Sequence, residues 1–570
     1  MKIKHLFGLA VIAAMSASCS SNEDLGTAGP GTGTNETGVG YATFTINLPS
    51  VSGTRAVDAG GAEMAEGTPE EYKVSKATAL IFQKYGSDEG SYKFVESVTL
   101  PIDGWTDDST PGITTTSKKL VAKLTNVDTK NDYSVLILLN NKNVNLPTVG
   151  QSYNDWNSKN ILTPSVTDWA GSDGFYMANA PLKGSADSPA TLVSIDKDKI
   201  YASEAEANKP TNDCAATVFV ERGVAKMTVA APGTITVKDK ATTKPTKSTV
   251  EFNNWALDIT NKKTYAVHNI DGLSTDFPDI WTTPRFIGTN SRVYWGKDPN
   301  YNLDNLNTGK EAEREAEFNF IKATSGINKT FTESAYCLEN TFNLANMYQG
   351  QTTRVIFKAT YTPKDAAGNP LADKDGTFYT IGNMTTILKA EALETAVNTA
   401  ATSVLPGCTV DYTNLKQEGS HVITLADIKD STGTTLVADK VYSGKTGTEI
   451  VKEINDKLGL IDGAGHAEAM VGINTYAQGV TYYIARVKHF GSLTPWSSGE
   501  SYGTDNVKYL GRYGMLRNNW YELKVGNVYG PGYPGVPPVD PTLPDDENEK
   551  YLSVSVKILS WAKRSDTVDL

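Results

Sequence analysis

The chain has 570 residues, more than one hydrophobic core holds, so two or three domains are expected. Hydrophobic residues make up 39% and charged residues 21%, which excludes a disordered chain. A net charge of −12 argues against nucleic acid as a partner and against an electrostatic grip on anionic lipid.

The N-terminus reads as an export signal. Lys2, Lys4 and His5 precede the apolar run Leu6 to Ala14, which is too short to span a bilayer. Ser16-Ala17-Ser18 then leads directly into Cys19. This resembles a bacterial lipoprotein box, in which the thiol is acylated and becomes the mature N-terminus. Ser16 departs from it, since such boxes more often carry Leu there; an ordinary signal peptide with an incidental Cys is the alternative. Ser20-Ser21-Asn22-Glu23-Asp24 resembles the surface-export signal of Bacteroidetes lipoproteins.

From Ser20 to Gly40 the chain is rich in Gly, Thr, Asn and Ser and reads as a flexible stalk. Between Tyr41 and Leu48 the residues Ala42, Phe44, Ile46 and Leu48 alternate with polar ones, the pattern of a strand with one buried face. Arg55 and Ala56 follow, at the head of a small, polar loop open to a protease. Arg55 is the only arginine before Arg222, which makes it a candidate cutting site.

Short strand patterns then recur at Thr78–Phe82, Tyr92–Leu100, Leu120–Leu124 and Tyr133–Leu139, separated by turn residues, and point to a β-sandwich. Gln151 to Ala216 reads as loops with short helices. Thr217 to Val229 is a long strand pattern with Gly223 in its middle, a bulge or a passage between domains. The second half adds strands at Ser248–Ile259, Lys263–Val267, Arg354–Tyr361, Val480–Val487 and Trp520–Val525. Helical spacing appears at Lys310–Phe318, Met384–Val397 and Thr448–Leu458. Two β-rich domains joined near residue 225 is the simplest parse.

Gly526 to Lys550 holds six prolines in 25 residues and reads as a stiff, extended tether. At about 3 Å per residue it would reach roughly 75 Å, against a radius of gyration of about 24 Å for a compact chain of this size. Its stiffness should discourage folding back on its own subunit. Behind it, Leu552, Val554, Val556 and Ile558 alternate with polar residues as strictly as the strand near the N-terminus. One removable strand and one tethered strand of the same pattern imply polymerisation by strand exchange.

Catalytic constellations are missing. His268, His421, His466 and His489 stand apart, and no HExxH, GxSxG, P-loop or strand-linked GxGxxG occurs. Asp373-Lys374-Asp375-Gly376 fails as a calcium loop, because its first and twelfth positions would be Leu371 and Gly382. Cys214, Cys337 and Cys408 lie in no CxxC pair and near no His, so they read as small core residues; their disulfide state stays open. No enzyme activity, cofactor or metal site is expected. Exposed Tyr and Trp that stack on sugars leave a glycan-binding adhesin as the alternative.

Several islands, in order, carry a family resemblance: Val220-Glu-Arg-Gly-Val-Ala-Lys226, Tyr336-Cys-Leu-Glu-Asn-Thr341, Phe357-Lys-Ala-Thr-Tyr-Thr-Pro-Lys364, Leu516-Arg-Asn-Asn-Trp-Tyr-Glu-Leu-Lys-Val525 and Leu552-Ser-Val-Ser-Val-Lys-Ile-Leu-Ser-Trp561, with Val568-Asp-Leu570 at the end. Together with Cys19, Arg55 and the tether they make the chain similar to the Bacteroidetes fimbrillins, the type V pilin-like subunits. The resemblance implies a mainly β fold of two tandem transthyretin-like sandwiches, with a detachable N-terminal strand and a C-terminal donor strand. The divisions expected are a signal peptide at 1–18, a lipidated propeptide at 19–55, sandwiches at 56–225 and 226–525, the tether at 526–550 and the donor strand at 551–570. The partners implied are other copies of the chain, fimbrial anchor and tip subunits, an Arg-specific processing protease, and the outer membrane through lipid on the precursor. The location implied is a fimbrium on the cell surface; the rival is a monomeric surface lipoprotein or tip adhesin that binds glycan or host protein.

Overall fold

The computed structural model describes residues 33–34, 38–49, 64–65, 67–103, 105, 117–128, 130–183, 189–276, 292–303, 306, 311–382, 384–460, 472–489, 510–545 and 552–561, the last segment as backbone. The fold is mainly β, as the alternating patterns require. The first half supplies β1 (Gly40–Asn47), the two-residue β2 (Met64–Ala65), β3 (Ala77–Gln83), β4 (Lys93–Leu100), β5 (Ser117–Leu124), β6 (Tyr133–Leu139), β7 (Met177–Asn179) and β8 (Ala216–Arg222). Strands β4, β3, β6 and β7 pair in that order, while β1 lies between β5 and β8. β8 joins the two groups: Ala216–Phe219 run parallel to β1, and Val220–Arg222 pair with β7. The core enclosed contains Phe44, Ile46, Leu80, Phe82, Ile137, Trp156 and Val218. β3 and β6 are buried on both faces except at Gln83, which is why they read as unbroken apolar runs.

Gly223 separates β8 from β9 (Val224–Val229), and the chain passes there from the first core to the second. A Cβ at Gly223 would stand 2.7 Å from the Tyr176 ring and 2.8 Å from Trp169, so only glycine lets the backbone pass these aromatics. The second core lies between two sheets. One orders β2, β19 (Leu552–Trp561), β18 (Trp520–Val528), β9 and β12 (Ala335–Leu338). The other orders β10 (Thr234–Lys238), β11 (Pro245–Asp258), β13 (Arg354–Thr362) and β17 (Val480–Arg486). Met227, Leu523 and Val525 from one sheet share a cluster with Phe252, Phe357 and Tyr483 from the other.

Three features depart from the sequence reading. First, residues 226–525 hold more than a sandwich. Between β13 and β17 the chain builds a separate cluster from a sheet of β14 (Phe378–Ile381), β15 (Gly419–His421) and β16 (Ile473–Tyr476) with α1 (Ala390–Val404) and α2 (Gly447–Leu458). Leu393, Val397 and Ala401 of α1 meet Ile450, Ile454 and Leu458 of α2 there. α2 starts on a Thr446–Glu449 capping box and ends on Gly459 at φ 67°, as helix-end chemistry prescribes. α1 starts later than its spacing suggested, because Leu388 exchanges both backbone hydrogen bonds with Tyr379 and holds the preceding residues extended.

Second, the proline-rich stretch is no free leash. After β18 it lies along the second sandwich as far as Asp545, which is fully buried. Its carbonyls, unpaired in an extended proline-rich chain, find donors: Arg354 Nη1 and Nη2 donate to Pro538 O at 2.9 Å and Pro537 O at 2.6 Å, and the Tyr483 and Tyr476 hydroxyls donate to Gly530 O and Gly532 O at 2.8 and 2.9 Å. Tyr533 and Tyr482 exchange backbone hydrogen bonds at 2.7 and 2.8 Å. A Cβ at Gly532 would sit 2.0 Å from Tyr482 O, so glycine is required for this approach. Third, the C-terminal strand does fold back: β19 pairs antiparallel with β18 of the same chain.

Arg354 fixes the proline-rich stretch to the sandwich through Asp258, whose carboxylate takes the Nε hydrogen bond at 2.8 Å in a buried site. Arg354→Ala leaves the buried Asp258 without its cation, and urea unfolding should show a loss of about 3–5 kcal/mol. An unchanged midpoint would mean that this anchor contributes nothing.

Candidate strand-exchange site

The first component is the slot that β1 occupies. Ala42, Phe44 and Ile46 are fully buried and Leu48 nearly so, on the single face that alternation marked. β5 pairs with β1 along its entire length, from Gly40 opposite Leu124 to Asn47 opposite Ser117. On the other edge Tyr41 and Ala42 pair with Tyr201 and Ile200, and Phe44–Asn47 with Ala216–Phe219 of β8. Two side chains add to the ladder, Thr43 Oγ1 donating to Ala207 O at 2.9 Å and Asn47 Nδ2 to Val218 O at 3.2 Å. Burial of Phe44, Ile46 and Leu48 contributes roughly 5–9 kcal/mol as an upper estimate. These pairings and this burial hold β1 in its slot independently of the chain that connects it to β2.

The second component is the seat of β19. Leu552, Val554, Val556 and Ile558 stand opposite Val528, Val525, Leu523 and Tyr521 of β18. Among the described residues the far edge of β19 meets only β2, where Met64 and Ala65 run parallel to Ser560 and Trp561. That short ladder places the segment just downstream of Ala56 beside the C-terminal strand. The sequence reading missed it, since two residues carry no periodicity.

Both components are tied to one buried polar cluster at the passage between the cores. Glu71, fully buried, accepts from Lys226 Nζ at 2.7 Å and from the Tyr336 hydroxyl at 2.7 Å. Its backbone carbonyl accepts from Arg222 Nε at 3.0 Å. Lys226 Nζ also lies 3.6 Å from the centre of the Trp520 ring, and the Arg222 guanidinium 4.7 Å from that of Tyr72. Burial pulls the Lys226 ammonium pKa below its usual value, with Glu71 opposing. A second cluster lies beyond Gly223. Glu221 contacts Arg292 and, at 2.8 Å, His268 Nδ1, while Glu339 takes Arg517 Nε at 3.0 Å. Burial alone would raise the Glu221 carboxyl pKa; Arg292 and then His268 outweigh it and hold the group near 2. The lysine and arginines inside these strands were the available signal, because a cation in a buried strand demands a partner.

Cys19, Arg55 and Ala56 lie outside the described residues. Cys337 and Cys408 are buried and Cys214 is half-buried; none of the three is joined to another by a disulfide, and burial pushes the Cys337 thiol up to about 12. Among the described residues no group of His, Cys, Asp and Glu is arranged to hold a metal, and no helix is long and apolar enough to cross a membrane. A polar cleft beside His268, lined also by Glu89, Asn154 and Thr191, encloses about 190 Å³. That is below the roughly 300–1,000 Å³ of small-molecule sites.

Residues 474–567 match the family model described as major fimbrial subunit protein type IV, fimbrillin, C-terminal. The matched span starts at β16 and takes in β17, β18, the docked proline-rich stretch and β19. No curated protein matches the chain. A crystal structure from Parabacteroides distasonis ATCC 8503, of a protein provisionally assigned to cell adhesion, aligns over 92% of this chain and 99% of its own at 10% identity, with a TM-score of 0.35. A likeness of that degree decides nothing about fold or function.

His489 supplies a pH dependence at this site. Its Nδ1 lies 2.7 Å from the Tyr521 hydroxyl on β18, and burial lowers its pKa from 6.5 to about 3. A base whose pKa falls on folding binds its proton more readily when unfolded. Its contribution is therefore complete above pH 6.5 and is lost as the pH drops from there towards 3. The urea midpoint should fall between pH 7 and 5, and His489→Gln should flatten that slope. The further loss between pH 4.5 and 2 that Glu221 generates should survive in the variant.

Proposed function

We propose, from the match of residues 474–567 to the fimbrillin C-terminal family model, that this chain is a shaft subunit of a bacterial surface fimbrium that polymerises by strand exchange after losing its N-terminal strand. A fimbrial subunit works at the cell surface in contact with copies of itself, and no catalytic role is assigned. In this reading the precursor carries lipid on Cys19 and reaches the outer membrane as a lipoprotein. An Arg-specific protease cuts between Arg55 and Ala56, and the strand carrying Ala42, Phe44, Ile46 and Leu48 leaves. Leu552, Val554, Val556 and Ile558 of a neighbouring subunit enter the same slot. Residues 56–225 and 226–525 then form the two sandwiches of the mature unit, the second carrying the helical insertion, and anchor and tip subunits close the fibre ends.

The observation that carries this reading is the pairing of β1. It is laddered on both sides, with its apolar row buried on one face and Thr43 buried on the other, so its loss opens two lines of unpaired N–H and C=O groups around an apolar groove. β19 has matching alternation, and among the described residues its edge opposite β18 is covered only by β2. The home pairing of β19 on β18 favours a second reading, in which the chain stays a monomeric surface lipoprotein or tip adhesin that binds glycan or host protein.

Fibre subunits sequenced from the N-terminus should begin at Ala56, and Arg55→Lys should hold the chain as uncut monomer. Any other start places maturation elsewhere. Deletion of residues 551–570, or Val554→Asp with Val556→Asp, should leave a secreted, cut, folded monomer and abolish the ladder of multimers on a sizing column. Ladders of normal intensity from either variant would rule out β19 as the exchanged strand.

A further inference from the structure

All seven described arginines are buried: Arg222, Arg292, Arg314, Arg354, Arg486, Arg512 and Arg517, with exposures from 0% to 6%. The other three arginines of the sequence, Arg55, Arg285 and Arg564, lie outside the described residues. Lysines show the opposite distribution. Lys226 is the one buried lysine among those whose burial is described, and the rest reach solvent. Solvation does not demand such a division, since arginine and lysine are both mostly surface residues. The buried arginines use their fork, as when Arg517 meets Glu339 and Thr264, or Arg354 meets Asp258 and two proline carbonyls. That explains why an interior cation is arginine. It does not explain why surface cations in the described body are never arginine.

An endoprotease takes up several residues of extended chain around the bond it cuts, so a bond in a packed element is reached only after local opening. Arg222 and Arg486 end strands and Arg354 begins one, each with its side chain inside. Exposed turns such as the one containing Lys130 and that at Lys240 carry lysine instead. We infer that the described part of the body is shielded from an arginine-specific endoprotease by the choice of cation, buried arginine and exposed lysine, so that such an enzyme can meet the folded chain without cutting it at any of these seven positions. The biological use of this shield rests on the maturation cut at Arg55, but the shield can be measured separately.

The full chain would be incubated with an Arg-specific endoprotease and, in parallel, with a Lys-specific one, and the fragments mapped by mass. The Lys-specific enzyme should cut the body in its exposed turns, and the Arg-specific enzyme should cut after none of the seven arginines. Lys130→Arg and Lys240→Arg, each keeping the surface charge, should open the body to the Arg-specific enzyme. Cleavage after those positions should be at least about a hundredfold faster than after any of the seven. Cutting after any of the seven within tenfold of that rate overturns the inference. So does resistance of both variants at positions where the Lys-specific enzyme cuts the parent. If the body resists and the new N-terminus is not Ala56, the maturation reading fails while the shield stands.

Discussion

A carboxylate buried at the passage between two cores holds this molecule's parts in register. Glu71 faces Lys226 and Tyr336, and its carbonyl takes Arg222, so three stretches far apart in sequence meet at one residue. A buried ion pair adds little net stability, because desolvation cancels most of the attraction; losing one partner is what costs, about 3–5 kcal/mol. Such a cluster selects one arrangement over its neighbours. Here it fixes the segment Pro69–Glu71 against β9, and Trp520 at the head of β18 against the same lysine. Whatever happens upstream of Thr68, the chain from Glu71 onward keeps its seat.

That anchoring gives the two alternating strands unequal homes. β1 is paired along one edge for its full length and along most of the other, with its apolar row inside the first core. β19 has one long partner and one short one. Strand pairing is additive along a ladder, so among the described residues β1 is held by more backbone pairings than β19. An exchange that empties the weaker seat to fill the stronger is downhill once the original occupant has gone.

The patterns that read correctly in the sequence were those whose cause is local. Ala42, Phe44, Ile46 and Leu48 alternate because one face is buried, and Leu80 to Phe82 run together because both faces are. The Thr446–Glu449 box marks α2 because helix ends need side-chain partners. What failed depended on contacts between residues about fifty or more positions apart. Six prolines looked like a stiff leash until Arg354 and the tyrosines at positions 476 and 483 supplied donors to the stretch. The helical insertion was hidden because its two helices were legible singly, whereas their shared core appears only once Leu393 meets Ile454. β2 was invisible, as a two-residue strand must be. Lys226 was quoted as part of a family island without its meaning, which lies in a glutamate 155 residues upstream.

The docked proline-rich stretch has a mechanical consequence. Between β18 and Asp545 the chain is fastened at a series of points, Gly530, Gly532, Tyr533, Pro537, Pro538 and Leu543, each held by one or two hydrogen bonds. A strand lent to a neighbour would pull on this stretch from its far end. The fasteners would then open one after another, as a zip does, and each would absorb work before the next was loaded. Fully peeled, the segment would lengthen to about fifty ångströms at the extension of a proline-rich chain. A fibre linked this way would carry slack inside every subunit, and would stretch under drag before any strand was drawn from its slot.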